Sequence, residues 1–186
     1  MGVVSDKAAS AKGTTPMDTP EISSTDKPVK PLLGIPPPIV TVLILGAGLG
    51  IHFGISKVLI FPEGWVQFAV GIPIIVVGLG FGLKANNEFS SVGTDDRFAA
   101  PTSVIVTTGS NARVRNPMYV GLVSTYLGIV LTVNAAWALV GLPVLVLWLH
   151  FGVIRREEAY LEARFGGEYL DYKGSAPRWI PKLGSA

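Results

Sequence analysis

Two stretches hold most of the side chains able to do chemistry. The first is "RVRNPMYVG", residues 113–121, which places Arg113, Arg115, Asn116 and Tyr119 at the mouth of a long apolar run. The second is "IRREEAYLEARFGGEYLDYK", residues 154–173, closed by "APRWIP", residues 176–181. Arginine forks suit a carboxylate or a phosphate. Paired carboxylates such as Glu157 and Glu158 take a cation, a diol or a proton. Tyrosines pack on flat rings or donate hydrogen bonds. Asn116 cannot take a proton near neutral pH, so a general base would come from Glu157, Glu158 or His150. Each stretch also has a purely structural reading: Asn116-Pro117 as an N-capped helix start, the arginines and Tyr119 as interfacial anchors, and the acidic pair as solvated charge.

The elements that must position these residues belong to a membrane protein. Of 186 residues, 49% are hydrophobic and only 15% charged, with a mean hydropathy of +0.49, against about 25% charged in soluble domains. Four apolar stretches approach the ~20 residues that cross a bilayer: about 39–61, 65–83, 117–133 and 135–154. Pro73 and Pro143 fall inside the second and fourth, and Asn134 marks the turn between the third and fourth. The predicted fold is all-α: four transmembrane helices in two hairpins plus a cytoplasmic C-terminal helical segment. The divisions are a disordered tail (1–31), a first hairpin (32–83), a connecting segment (84–116), a second hairpin (117–154) and a C-terminal segment (155–186). The short Pro62-Glu63-Gly64 loop makes the first two helices expected antiparallel neighbours. Gly46, Gly50 and Gly54, with Gly78 and Gly82, are spaced as close-packing seams.

Charge sets the expected orientation. The tail, the connecting segment and the region after Ile154 hold 14 of the 15 Lys and Arg residues. Both termini are therefore expected on the cytoplasmic side, in the inner membrane of a bacterium. The tail balances Lys7, Lys12, Lys27 and Lys30 with four acids and has no apolar segment of a signal peptide. A net charge of +2 without basic-aromatic clusters argues against nucleic acid. There is no cysteine and only two histidines, thin material for a metal centre. Past Ile154, 3.6-residue spacing places His150, Ile154, Glu157 or Glu158, Leu161 and Phe165 on one helical face, ended by Gly166-Gly167. His150 lies roughly 10 Å deeper than the glutamates, and an ionisable group inside a span is a functional candidate.

Taken together, "TTGSNARVRNPMYVG", a short hairpin and "EEAYLEARFGGEYLDYKGSAPRWIP" resemble the isoprenylcysteine carboxyl methyltransferase and phospholipid methyltransferase family of integral membrane enzymes. The likeness spans about residues 93–182. It implies S-adenosylmethionine as cofactor, held between the last hairpin and the C-terminal segment. It implies a lipidic or small hydrophobic methyl acceptor: a prenylcysteine carboxylate, a phospholipid amine or a thiol. The family's arginine-histidine/asparagine-proline-x-tyrosine motif matches Arg115, Asn116, Pro117 and Tyr119. Its paired glutamates match Glu157 and Glu158, its tyrosines Tyr169 and Tyr172, and its proline-arginine Pro177 and Arg178. Where members often have Pro-Tyr-Arg, this chain has Ser110-Asn111-Ala112. Rival readings are an NADPH-dependent sterol-type membrane reductase, against which the glutamate pair and short chain stand, and a non-enzymatic four-helix scaffold or transporter subunit. The latter explains each motif singly but not their order.

Overall fold

A computed structural model describes residues 31–32, 34–90 and 105–181. The tail expected to be disordered and part of the connecting segment lie outside the described residues. Those described are helical and coil, without a strand. In chain order they form α1 (Pro37–Gly54), α2 (Val66–Ser90), α3 (Ser110–Arg113), α4 (Pro117–Val133) and α5 (Ala136–Leu149). A π-helical turn (His150–Ile154) carries α5 directly into α6 (Arg155–Phe165), and α7 (Gly167–Ser175) follows. Three helical stretches are long and apolar enough to cross a membrane: Pro37–Gly54, Val66–Ser90 and the continuous Ala136–Phe165. The fourth apolar helix, Pro117–Val133, is shorter at 17 residues. Large apolar side chains such as Val42, Leu43, Val76, Val77, Val140 and Leu147 face outward, a surface suited to hydrocarbon.

The helix pairing departs from the sequence expectation. α2 packs along α4 and α1 along α5, and no substantial interface joins α1 to α2. The reason is the first loop. α1 stops at Gly54, not near Phe61, so residues 55–65 form a non-helical connection long enough for the two helices to part. α2 in turn continues through Pro73 and runs past Leu83 to Ser90.

Glycines set these contacts, though not all those expected. A Cβ on Gly128 of α4 would stand 2.7 Å from Ile75 N and 2.9 Å from Gly71 O, so the α2 and α4 backbones touch there. Gly78 lies equally close to Thr125. On α1 the contacting glycine is Gly48, against Ala138 of α5, whereas Gly46, Gly50 and Gly54 face open space. Without a hydrophobic driving force in lipid, such close approach and its dispersion contacts hold helices together.

The end of the bundle away from the charged stretches is pinned by Asn134, which ends α4 in the left-handed region at φ 62°. Its Oδ1 accepts from the N–H groups of Ile60 and Phe61, each at 2.8 Å. Its Nδ2 donates to Phe61 O and to Gln67 Oε1. One side chain thus joins the loop before α2 to the turn before α5.

Candidate active site

At the other end, the π turn decides which glutamate faces inward. Its wider turn adds a residue to the helix, leaving Ile154 and Glu158 buried together while Arg155 and Arg156 stay exposed. Such turns are frequent at functional sites. Glu158 is 5% exposed, and it is met by two guanidinium groups. Arg178 grips it with a fork, Nε to Oε1 at 2.9 Å and Nη2 to Oε2 at 2.6 Å. Arg115 Nη2 lies 3.3 Å from Oε1. Buried charges persist when paired and hydrogen-bonded in this way.

Arg178 reaches Glu158 because the C-terminal segment folds back on the start of α4. Gly166, at φ 54°, ends α6 and turns the chain into α7. Arg115 Nη1 donates to Lys173 O in α7 at 2.8 Å, and beyond α7 the Arg115 N–H donates to Pro177 O at 2.8 Å. The helix starts at Pro117 as expected, but the Asn116 side chain makes no capping bond. Its Nδ2 donates instead to Arg178 O at 3.2 Å. Arg115 is likewise no exposed interfacial anchor, its side chain being only 9% exposed, whereas Arg113 is exposed.

Glu157 turns the other way, its Oε1 accepting from the Tyr119 hydroxyl at 2.8 Å. Tyr119 also lines an apolar groove of about 260 Å³ between Pro37-Pro38 of α1, Gly78–Asn86 of α2 and Met118–Thr125 of α4. Tyr119 is therefore the side chain shared by the groove and the glutamate pair.

The remaining candidates frame this centre. Tyr169 and Tyr172 are buried edge to face, 6.1 Å between centroids, and Tyr172 donates to Asn111 O at 2.8 Å. Burial first, and then the charge of Glu158, pushes the Tyr169 phenol above its ordinary value. The hydrogen bond to Glu158 raises Arg178 further, outweighing the opposing effect of burial. His150 stands apart from the glutamates: its Nδ1 accepts from Trp179 Nε1 at 3.2 Å, the rings stacked at 22°. Among the described residues no group of three or more His, Cys, Asp or Glu side chains could hold a metal.

Sequence reasoning named Arg115 but missed other residues that brace the site. Glu88, near the end of α2, accepts the Ser110 N–H at 2.8 Å and fixes the approach to α4. Ser110 Oγ, Asn111 Nδ2 and Arg115 Nε are buried without a partner. The replacement of the family's Pro-Tyr-Arg by Ser110-Asn111-Ala112 was the available signal for two of these three.

A model of the phospholipid methyltransferase family matches residues 66–168, more than half of the chain. The chain belongs to that family. Membership implies methyl transfer, and the family's name points to a lipid acceptor. The matched part of this methyltransferase takes in α2, α4, the α5–α6 helix and both glutamates. Arg178 lies beyond it and joins through Glu158. An uncharacterised protein of Haemophilus influenzae is 36% identical over 63 residues, which are 34% of this methyltransferase and the whole of that protein. No solved structure matches the chain.

Proposed function

We propose that this methyltransferase moves a methyl group from S-adenosylmethionine to a lipidic or small hydrophobic acceptor at the cytoplasmic face of a bacterial inner membrane. In this reading the chain spans the membrane four times, with both termini cytoplasmic. The observation that carries it is the meeting of three separated pieces. Arg115 to Tyr119, the Glu157-Glu158 pair and Arg178 are joined by direct contacts beside an apolar groove.

The residues fit the cofactor's chemistry. S-adenosylmethionine carries an ammonium, a carboxylate, ribose hydroxyls and, as its reactive part, a methyl sulfonium. The buried donors without partners, Arg115 Nε, Asn111 Nδ2 and Ser110 Oγ, suit carboxylate or hydroxyl oxygens. Such donors are costly to leave unmade. Glu158 holds Arg115 and Arg178 in place, and Glu157 offers a carboxylate to a cation. Tyr169 and Tyr172 supply aromatic walls. Folding of the C-terminal segment over Arg115 and Asn116 excludes water, and in-line methyl displacement depends on such positioning.

The test is equilibrium binding of S-adenosylmethionine to the purified, detergent-solubilised protein, with NADPH as control. Binding of the first alone is expected, weakened by Arg115→Ala and Glu157→Gln. Binding of NADPH alone, or of neither by folded protein, contradicts the proposal.

A further inference from the structure

The strap that follows α7, residues 176–181, returns to the apolar part of the molecule. Arg178 and Trp179 are neighbours in sequence, yet on the continuous α5–α6 helix they reach partners eight residues apart, Glu158 and His150. Eight residues span about 12 Å of helix. The strap therefore lies along the helix with its guanidinium reaching towards the charged end and its indole reaching back along the span. Trp179 stacks on His150 with the ring planes at 22° and packs against the main apolar core.

That level belongs to the bilayer. No Lys, Arg, Asp or Glu occurs from Ala136 to Ile154, and Leu147 and Phe151, beside His150, face outward. The first charge beyond, Arg155, lies with its guanidinium 5.7 Å over the Phe151 ring. A cation so placed keeps its stem on apolar surface while its head reaches the headgroups. Tryptophan is itself enriched at this boundary. The next residue, Ile180, is 80% exposed. A single exposed isoleucine is ordinary on a surface in water. Here it continues the outward apolar surface of α5, which suits hydrocarbon.

We propose that Trp179 and Ile180 anchor the strap in the bilayer, with Ile180 among the acyl chains just beneath the headgroups, so that the lipid helps to hold the candidate cofactor site closed. The partner is the lipid surface itself, met by one indole and one aliphatic side chain, and no particular headgroup is required. The consequence for the site follows from what the strap carries. Pro177 O accepts the Arg115 N–H, Arg178 O accepts from Asn116 Nδ2, and the Arg178 side chain grips Glu158. Lifting Ile180 out of the lipid pulls on all of these contacts together. The link to S-adenosylmethionine rests on the methyl-transfer reading, whereas the lipid contact does not.

The chain has no cysteine, so a single introduced cysteine can carry a nitroxide label. The whole protein is placed in nanodiscs of phosphatidylcholine and phosphatidylglycerol and labelled at Ile180→Cys, at Val140→Cys on the outward face of α5, or at Asp171→Cys on the exposed side of α7. Power-saturation electron paramagnetic resonance compares collisions with oxygen, which concentrates among acyl chains, and with a nickel chelate, which stays in water. The label at 180 is expected to favour oxygen, like that at 140, while the label at 171 favours the chelate. A label at 180 that behaves like the one at 171 overturns the proposal. In the same nanodiscs, Ile180→Asp should speed hydrogen exchange of residues 176–181 about tenfold, the scale of withdrawing part of one isoleucine from apolar surroundings. Ile180→Leu should leave it unchanged. Affinity for S-adenosylmethionine should weaken by a similar factor in Ile180→Asp alone. Equal exchange in Ile180→Asp and wild type overturns the anchor, and faster exchange with unchanged affinity overturns its link to the site. A chelate-favouring label at 180 in protein that binds S-adenosylmethionine overturns this inference alone. An oxygen-favouring label at 180 in wild-type-like protein that binds no S-adenosylmethionine supports the anchor and counts against methyl transfer.

Discussion

Replacing Glu158 by glutamine should free the C-terminal segment while leaving the membrane helices in place. The substitution removes the charge that two guanidinium groups share. Arg115 is 9% exposed at its side chain and Arg178 31%, so water screens the second more than the first. Removing one partner of a buried ion pair costs about 3–5 kcal/mol. With Arg178 screened, about 3 kcal/mol is expected, close to a hundredfold in the docking equilibrium at 1.36 kcal/mol per tenfold. Glu162 provides the contrast. It pairs with Lys173, but both side chains are about a third exposed, so Glu162→Gln should cost less than ~1 kcal/mol. Hydrogen-exchange mass spectrometry of residues 166–181 reads this directly. Protection there should fall by roughly two orders of magnitude in Glu158→Gln and hardly at all in Glu162→Gln, with α4 and α5 unchanged. The Glu158→Gln/Arg178→Gln double variant should recover part of the loss, because one unpaired charge is gone. Equal protection in wild type and Glu158→Gln, or equal loosening by the two single variants, would refute this reasoning.

Other expectations concern the scaffold. Asn134→Ala removes four hydrogen bonds and places alanine at φ 62°, so a loss of about 2–4 kcal/mol is expected, measured as lowered survival of folded protein after heating. Gly128→Val should separate α2 from α4 and abolish monodisperse protein, whereas Gly50→Ala, facing open space, should behave as wild type on size-exclusion chromatography. Tyr169 has its pKa raised from 10.0 in the fold. Its contribution to stability is thus complete below pH 10 and is lost as pH climbs above it. Tyr169→Phe should therefore lessen alkaline unfolding followed by circular dichroism.

The sequence exposed the parts of the fold governed by local chemistry. The apolar stretches, the start of α4 at Pro117, the turn at Asn134 and the stop at Gly166 all follow from residue type and neighbours. Helix pairing does not, because α1, α2 and α5 are apolar on every side and carry no stripe to say which face is inward. The regular Gly46, Gly50 and Gly54 spacing on α1 misled for that reason, while Gly48, outside it, makes the contact. Which of Glu157 and Glu158 faces inward was also hidden. It depends on the π turn, and nothing in "HFGVI" distinguishes five residues per hydrogen-bonded turn from four. The Asn116 side chain had an ordinary helix-capping role available, and only the folding back of residues 177–178 shows that it holds the C-terminal segment instead.

The most direct measurement is methyl transfer itself. Membranes containing the wild-type protein would be incubated with methyl-labelled S-adenosylmethionine, and label counted in the extracted lipid and small-molecule fractions. Label is expected in the organic phase, and it should fall sharply with Glu157→Gln and with Arg115→Ala at equal protein levels. Absence of transfer to every fraction by protein that is folded and carries an intact C-terminal segment would contradict the account, as would transfer that both variants leave unchanged.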